Sequence, residues 1–191
     1  MKEIEQYIET YFGIGDKDLV KISHFFEEKK LEKGAYFLKK GKFQSNLSFI
    51  KSGYLRIFNT DPNSGKEITQ WISTPGHFIA DLSNLAFGLP NKFDIQALSD
   101  CELFTISNEN YKSIGSHIPN WERLEKLFIA KCFSTLEDRM YSHLAMSSEE
   151  RYKFFFAYNP ELFNQVPLQY IASMLGMTPE TFSRIRKKVS S

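Results

Sequence analysis

Residues 168–191 read LQYIASMLGMTPETFSRIRKKVSS, and the rest of the chain is read outward from them. Leu168, Ile171, Ala172 and Leu175 recur at spacings of three and four, which makes one apolar helical face. Pro167 stands where a first helical turn tolerates a missing N–H. Ala172 is small enough for a second helix to cross closely. Gly176 follows the last apolar residue, where a left-handed residue commonly ends a helix. Thr178-Pro179 then restarts the chain as N-cap and first helical residue. The spacing predicts two short helices joined by a tight turn.

The second of these helices has two unlike faces. At about 100° per residue, Phe182, Ile185 and Val189 fall together and are expected to point inward. Glu180, Ser183, Arg184 and Lys187 fall on the other side. Arg pairs with guanine edges or phosphate, Glu accepts from a cytosine amino group, and Ser or Thr bonds phosphate. From Thr178 onward there are four basic residues and one acid, a net of +3 in a chain whose total is only +1. Such locally concentrated charge is the footprint of a DNA-binding surface. The expected DNA contacts are Thr178, Glu180, Thr181, Ser183, Arg184, Arg186, Lys187 and Lys188. An ordinary amphipathic helix needs no acidic and basic pair on one outward face near its start.

The 191 residues suffice for one large domain or two small ones, and 42% hydrophobic with 25% charged content is usual for a soluble globular chain. No apolar run approaches a membrane span, and the charged start MKEIEQYIET lacks a signal peptide's apolar stretch. A cytoplasmic location with no membrane partner is expected. Cys101 and Cys132 form no CxxC pair, and His24, His77, His117 and His143 are scattered. Buried reduced thiols are the expected reading, with no metal and no cofactor.

Residues 1–28 are expected to be helical: Ile4, Tyr7 and Ile8 form one stripe, and Leu19, Ile22, Phe25 and Phe26 another after a break at Gly13–Asp16. From Lys29 to Ile106 short β-forming segments (AYFLKKG, LSFIKSGYLRIFNT, EITQWIS, HFIADL, FDIQAL, CELFTIS) alternate with turns at Gly41, Gly53, Asn63-Ser64-Gly65 and Pro75-Gly76. This texture predicts an antiparallel barrel or roll. It has neither a βαβ rhythm nor a Gly-rich phosphate loop, which argues against a nucleotide-dependent dehydrogenase or an NTPase. His77 and Asp81 are the one candidate acid–base pair. Without a nucleophile, base and orienter set, no catalytic residue is assigned and the chain is not expected to be an enzyme.

Asn108–Ser113 reads as a short helix. Pro119 opens a long one, from about Asn120 to Ala145, with an apolar face of Trp121, Leu124, Phe128, Cys132 and Thr135, continued by Leu136, Met140 and Leu144. That face exceeds what one small roll needs, so a homodimer is expected. Ser147 or Ser148 caps a further helix, Ser148–Tyr158, with Glu149 and Glu150 in its first turn. The expected fold class is α+β. It comprises an antiparallel β-roll effector domain (1–118), a dimerisation helix (119–146) and a helix-turn-helix DNA-binding domain (147–191).

This order of parts resembles the Crp/Fnr superfamily of bacterial transcription regulators. The match rests on Gly41, Gly53 and Pro75-Gly76 in the roll, on Ser148-Glu149-Glu150-Arg151-Tyr152 at the junction, and above all on Ile171-Ala172, Leu175-Gly176-Met177-Thr178-Pro179-Glu180-Thr181-Phe182-Ser183-Arg184-Ile185-Arg186. The resemblance implies a cyclic-nucleotide-binding-type roll, a homodimer on a palindromic operator of double-stranded DNA, and base reading by Glu180 and Arg184. Pro179 replaces a base-contacting Arg of some members. The resemblance also puts RNA polymerase among the expected partners.

In relatives that bind cyclic AMP, a Glu from a Gly-Glu-Leu turn holds the ribose and an Arg-Ser or Arg-Thr pair holds the phosphate. Here Ile79-Ala80-Asp81-Leu82 and Pro90-Asn91-Lys92-Phe93-Asp94 stand at those places. The effector-pocket residues are thus Ala80, Asp81, Leu82, Asn91 and Lys92. Lys92 supplies charge without the guanidinium fork, and Asp94 opposes an anion. The expected pocket is degenerate for cyclic AMP, with an unknown small-molecule effector. The cysteine cluster of the family's iron–sulfur oxygen sensors is not present. The alternative is a cyclic-nucleotide or other small-ligand module without sequence-specific DNA binding.

Overall fold

The computed structural model describes residues 3–13, 16–44 and 46–189. Part of the expected Gly13–Asp16 break, the first two residues of the expected N-terminal helix and the Ser190-Ser191 tail lie outside them. The fold is α+β, with antiparallel sheets followed by helices. By compactness the chain forms two units, one of residues 1–57 and 73–131 and one of residues 58–72 and 132–191.

In the first unit, α1 (Glu3–Phe12) and α2 (Asp16–Ser23) precede the strands. The expected helical reading to residue 28 is corrected at its end: β1 (Glu27–Leu31) starts earlier, pairing Glu27 with Thr105 and Leu31 with Cys101. Four charged residues in EEKKL hide this strand from any hydrophobic pattern, and only pairing along the neighbouring strand β8 (Cys101–Ser107) makes it one. The other strands are β2 (Tyr36–Leu38), β3 (Asn46–Ser52), β4 (Leu55–Thr60), β5 (Glu67–Ser73), β6 (Phe78–Ile79) and β7 (Asp94–Ala97). They form two four-stranded sheets, ordered β1-β8-β3-β6 and β2-β7-β4-β5. Phe37, Leu38, Ile50, Leu55, Ile79, Ile95, Ala97, Cys101 and Leu103 make one buried cluster. Ile95 with Ala97, and Cys101 with Leu103, alternate along their strands, which turns one sheet face inward.

The expected strand HFIADL stops after two residues. Asp81 then caps a helix, α3 (Leu82–Phe87), which ends at the left-handed Gly88. A carboxylate able to bond Ser83 N and Asn84 N outweighs the weak β preference of the following residues. Helix α4 (Asn108–Ser113) has the expected bounds, with the Ser107 hydroxyl accepting from Asn110 N.

Helix α5 runs from Trp121 to Ala145. Its expected continuous apolar face proves to be two stripes about 100° apart. Trp121 and Phe128 are buried, Phe128 lying 4.4 Å from the Phe78 ring. Ile129, Phe133, Leu136, Met140 and Leu144 lie on the other stripe and are all exposed.

In the second unit, α6 (Ser148–Tyr158) starts with a full capping box: Glu150 N donates to Ser147 Oγ, and Ser147 N to Glu150 Oε2. A one-turn helix, α7 (Leu162–Gln165), went unseen in the sequence because four residues carry no periodicity. Helices α8 (Leu168–Met174) and α9 (Pro179–Val189) complete it. Tyr152, Phe163 and Phe182 form an aromatic core, with centroids 5.3 to 5.9 Å apart.

Candidate nucleic-acid interface

The turn between α8 and α9 is built as the residues predict. Gly176 has φ +69°, Gly176 N donates to Ser173 O, and Met177 N reaches back to Ala172 O. These two bonds satisfy carbonyls that a helix end otherwise leaves bare. Thr178 then caps α9, its Oγ1 accepting from Thr181 N at 3.2 Å. Phe182 and Ile185 turn inward. Glu180, Ser183, Arg184, Lys187 and Lys188 are exposed, and Thr181 and Arg186 half-buried. Val189, expected inward, is 37% exposed. Glu180 is held below the usual carboxylate range by its own backbone amide, by the Thr178 side chain and by the charge of Lys66. It is therefore anionic at neutral pH and available as an acceptor.

Lys188 is differently placed from the other expected phosphate contacts. Its Nζ lies 2.6 Å from Glu149 Oε2 on α6, and Lys153 and Lys188 together hold Glu149 at about 2. A phosphate must compete with that carboxylate for Lys188.

Two arginines absent from the expected site fix the turn. Arg139 Nη2 donates to Met174 O at 3.1 Å, and Arg151 Nε donates to Leu175 O at 3.0 Å. Arg151 Nη1 also donates to Met146 O. Cations on the last carbonyls of α8 complement its negative end. Burial pushes the Arg139 guanidinium down to about 10, still fully charged at neutral pH.

His143 stands beside them, against the turn, where a Cβ placed on Gly176 would sit 3.4 Å from its ring. Burial, then the charges of Arg139 and Arg151, lower its pKa. A histidine whose folded pKa lies below its unfolded value is stabilising to the fold only when neutral. Stability is complete above the ordinary value near 6.5 and falls as pH drops through it toward the folded value. Thermal melts at pH 7.5 and pH 5.5 are expected to show a loss at the lower pH that His143→Gln reduces. An unchanged pH difference in the variant refutes this.

The roll loop presents the expected effector residues in another arrangement. Asp81 is buried, and its carboxylate accepts from Ser83 N (3.0 Å), Asn84 N (3.2 Å) and Lys92 N (2.6 Å). Three amide donors thus already converge on an anion that belongs to the chain. Ala80 and Leu82 flank it, half-buried. Asn91 is buried, its Nδ2 donating to Lys39 O, while the side chain of Lys92 is exposed. Asp94 accepts from Lys40 N, so part of its charge is spent locally. His77 is held by Thr74 through its Nδ1, so the structure gives it and Asp81 separate partners. Among the described residues, no three His, Cys, Asp or Glu side chains group as a metal site. Cys101 and Cys132 form no disulfide; Cys101 is buried as expected, whereas Cys132 on α5 is only half-buried.

Residues 28–116 match the family of the cyclic nucleotide-binding domain. FixK2 from Bradyrhizobium japonicum is similar at TM-score 0.74 and 16% identity, over 86% of this chain and 84% of that one. A protein from Eubacterium rectale assigned to the Crp/Fnr family of transcriptional regulators is similar at TM-score 0.70 and 19% identity, over 97% and 88%. The fold is that of the Crp/Fnr regulators.

The similarity to the cAMP-complexed regulatory domain of Toxoplasma gondii PKA, at TM-score 0.52 and 22% identity, is narrower. It covers 58% of this chain and 42% of that one, so this chain spans less than half that protein's length. No curated protein sequence matches. Within the Crp/Fnr fold, the α8–α9 pair was legible from the sequence. Arg139 and Arg151 were not, since no local pattern tells which carbonyl a long side chain will reach. No described helix is long and apolar enough to cross a membrane.

Proposed function

We propose that this chain is a DNA-binding transcription regulator of Crp/Fnr type. It acts in the cytoplasm as a homodimer on a palindromic operator, with RNA polymerase as a further partner. The observation that carries the reading is the division of α9: Phe182 and Ile185 are buried, while Glu180, Ser183, Arg184 and Lys187 face outward. Glu180 and Arg184 read base edges. Thr178, Thr181, Ser183, Arg186, Lys187 and Lys188 set register on the phosphates. The exposed stripe Ile129, Phe133, Leu136, Met140 and Leu144 supports pairing of α5 with its copy, because bare apolar stripes of this size mark association surfaces. The domain organisation read from the sequence, with a roll to residue 118, a dimerisation helix to 146 and a DNA-binding domain beyond, belongs to this proposal.

Selection of genomic fragments on the purified protein tests it. The expected result is an enriched palindrome with half-sites about one helical turn apart. Folded protein that enriches no palindrome defeats the reading. On the selected operator, Arg184→Ala is expected to cost about 1–3 kcal/mol and to relax specificity at one base pair. Lys187→Ala is expected to weaken all sequences alike and to lower the salt slope by about one unit. Salt titrations on matched and mutated operators separate the two, and identical behaviour contradicts the assignment.

The roll is proposed not to take cyclic AMP. The Asp81 carboxylate already fills the amide cradle, and Asn91 and Lys92 provide no bidentate guanidinium. A melting midpoint unmoved by millimolar cyclic AMP or cyclic GMP is expected. A clear upward shift would favour the alternative of a nucleotide-binding module.

A further inference from the structure

We propose that the loop after β2 and the loop before β7 together form a foot that seats on an anionic lipid surface. The proposal does not depend on how α9 is used. Leu38 and Ile95 are register partners in the antiparallel β2–β7 pair, so the chain leaving β2 and the chain entering β7 share one end of the sheet. There residues 39–44, KKGKFQ, meet residues 86–92, AFGLPNK. Gly41 N donates to Asn91 O at 2.8 Å, Asn91 N to Lys42 O at 2.9 Å, and Asn91 Nδ2 to Lys39 O at 3.3 Å. The buried Asn91 thus stitches one loop to the other.

Two features of the paired loops call for a partner. Phe43 and Phe87 are 75% and 76% exposed, and Leu89 is 47% exposed. Bare phenyl rings on loop tips gain nothing from packing and remain in water. Beside them Lys39, Lys40, Lys42 and Lys92 are exposed, and neither stretch holds an acid. The local charge is +4 in a chain whose total is +1. Apolar tips among lysines fit an anionic bilayer: the rings enter the headgroup boundary while the ammonium groups stay with the lipid phosphates. Long lysine stems allow both at once. The contact is peripheral, distinct from the spanning segment that the sequence excludes.

The backbone argues against a docked peptide. Strand addition needs free N–H and C=O groups along an edge. Here the N–H groups of Lys40, Gly41, Lys42, Gly88, Asn91 and Lys92 all donate within the chain. Loops with their amides already bonded lose little on leaving water, as the headgroup boundary requires.

Co-sedimentation of the intact protein with vesicles tests this. Binding is expected to vesicles of phosphatidylcholine with about 30% phosphatidylglycerol, to weaken as salt rises, and to be absent with phosphatidylcholine alone. Phe43→Ser together with Phe87→Ser, both at exposed positions, is expected to lower the partition coefficient roughly tenfold or more with the melting profile kept. Lys40→Gln together with Lys42→Gln is expected to lower it by roughly tenfold too and to flatten the salt dependence. No binding to either vesicle, equal binding to both, or full binding by the double Phe variant overturns the proposal. If Arg184→Ala with Lys187→Ala removes the binding, α9 is the lipid contact and the proposal falls. A double Phe variant whose sedimentation coefficient without vesicles falls from dimer to monomer shows that the tips pack on a second copy, which also overturns it.

Discussion

A protein carrying Phe133→Glu together with Leu136→Glu is expected to sediment as a monomer and to lose operator binding. Both side chains are exposed, at 61% and 55%, on the stripe that also holds Ile129, Met140 and Leu144. Spacings of four, three, four and four keep these five on one side of α5, the pattern of a helix that packs along a copy of itself. Each such side chain, once fully buried, is worth roughly 1.5–3 kcal/mol. Two carboxylates per chain in that seam cost several kcal/mol in desolvation, which exceeds what the remaining contacts recover. Because neither residue is packed in the free chain, the monomer should keep its fold and melting profile. A dimer grips two half-sites at once and a monomer one, so operator affinity is expected to fall by roughly a hundredfold or more. Analytical ultracentrifugation with operator titration checks both halves. A double variant that stays dimeric removes α5 as the interface.

Gly53→Ala is expected to be the most damaging small substitution in the roll, at about 3 kcal/mol or more of stability. Gly53 turns β3 into β4 with φ +89°, a conformation that L side chains rarely adopt. A Cβ there would press on Asp100 O, and would lie 2.6 Å from Cys101 Sγ and 2.9 Å from Cys101 Cα. These atoms belong to the start of β8 and the residue before it, so the backbone cannot yield cheaply. Strain and overlap add. Gly65→Ala is the control: its φ is +68°, but nothing lies within 4 Å of its Cβ, so it should cost only about 1 kcal/mol. Denaturant melts of the two variants should separate clearly. Equal midpoints would show that the close approach of the two chain segments is not what requires glycine.

Some elements were plain in the sequence because their information is local. The Ala172, Gly176 and Thr178-Pro179 series specifies a helix, its stop and the next start within a dozen residues, and each signal is met by its own bond. The capping box at Ser147 and Glu150 is of the same kind. β1 lay hidden because a strand of Glu and Lys exists only by virtue of its partner. The loop at Asp81 was misread as a strand ending, because its carboxylate gathers three amides, the farthest of them Lys92 N, eleven residues on.

The order of amino acids alone determined the α+β class, the α8–α9 pair with its turn and the outward set on α9, since helical period, caps and local charge act over a few residues. Tertiary structure decided which of two apolar stripes on α5 is left bare, that Arg139 and Arg151 close the end of α8, and that Asp81 satisfies its own loop. Those outcomes depend on which distant backbone groups meet a side chain and lose their water, and no spacing along the chain encodes that.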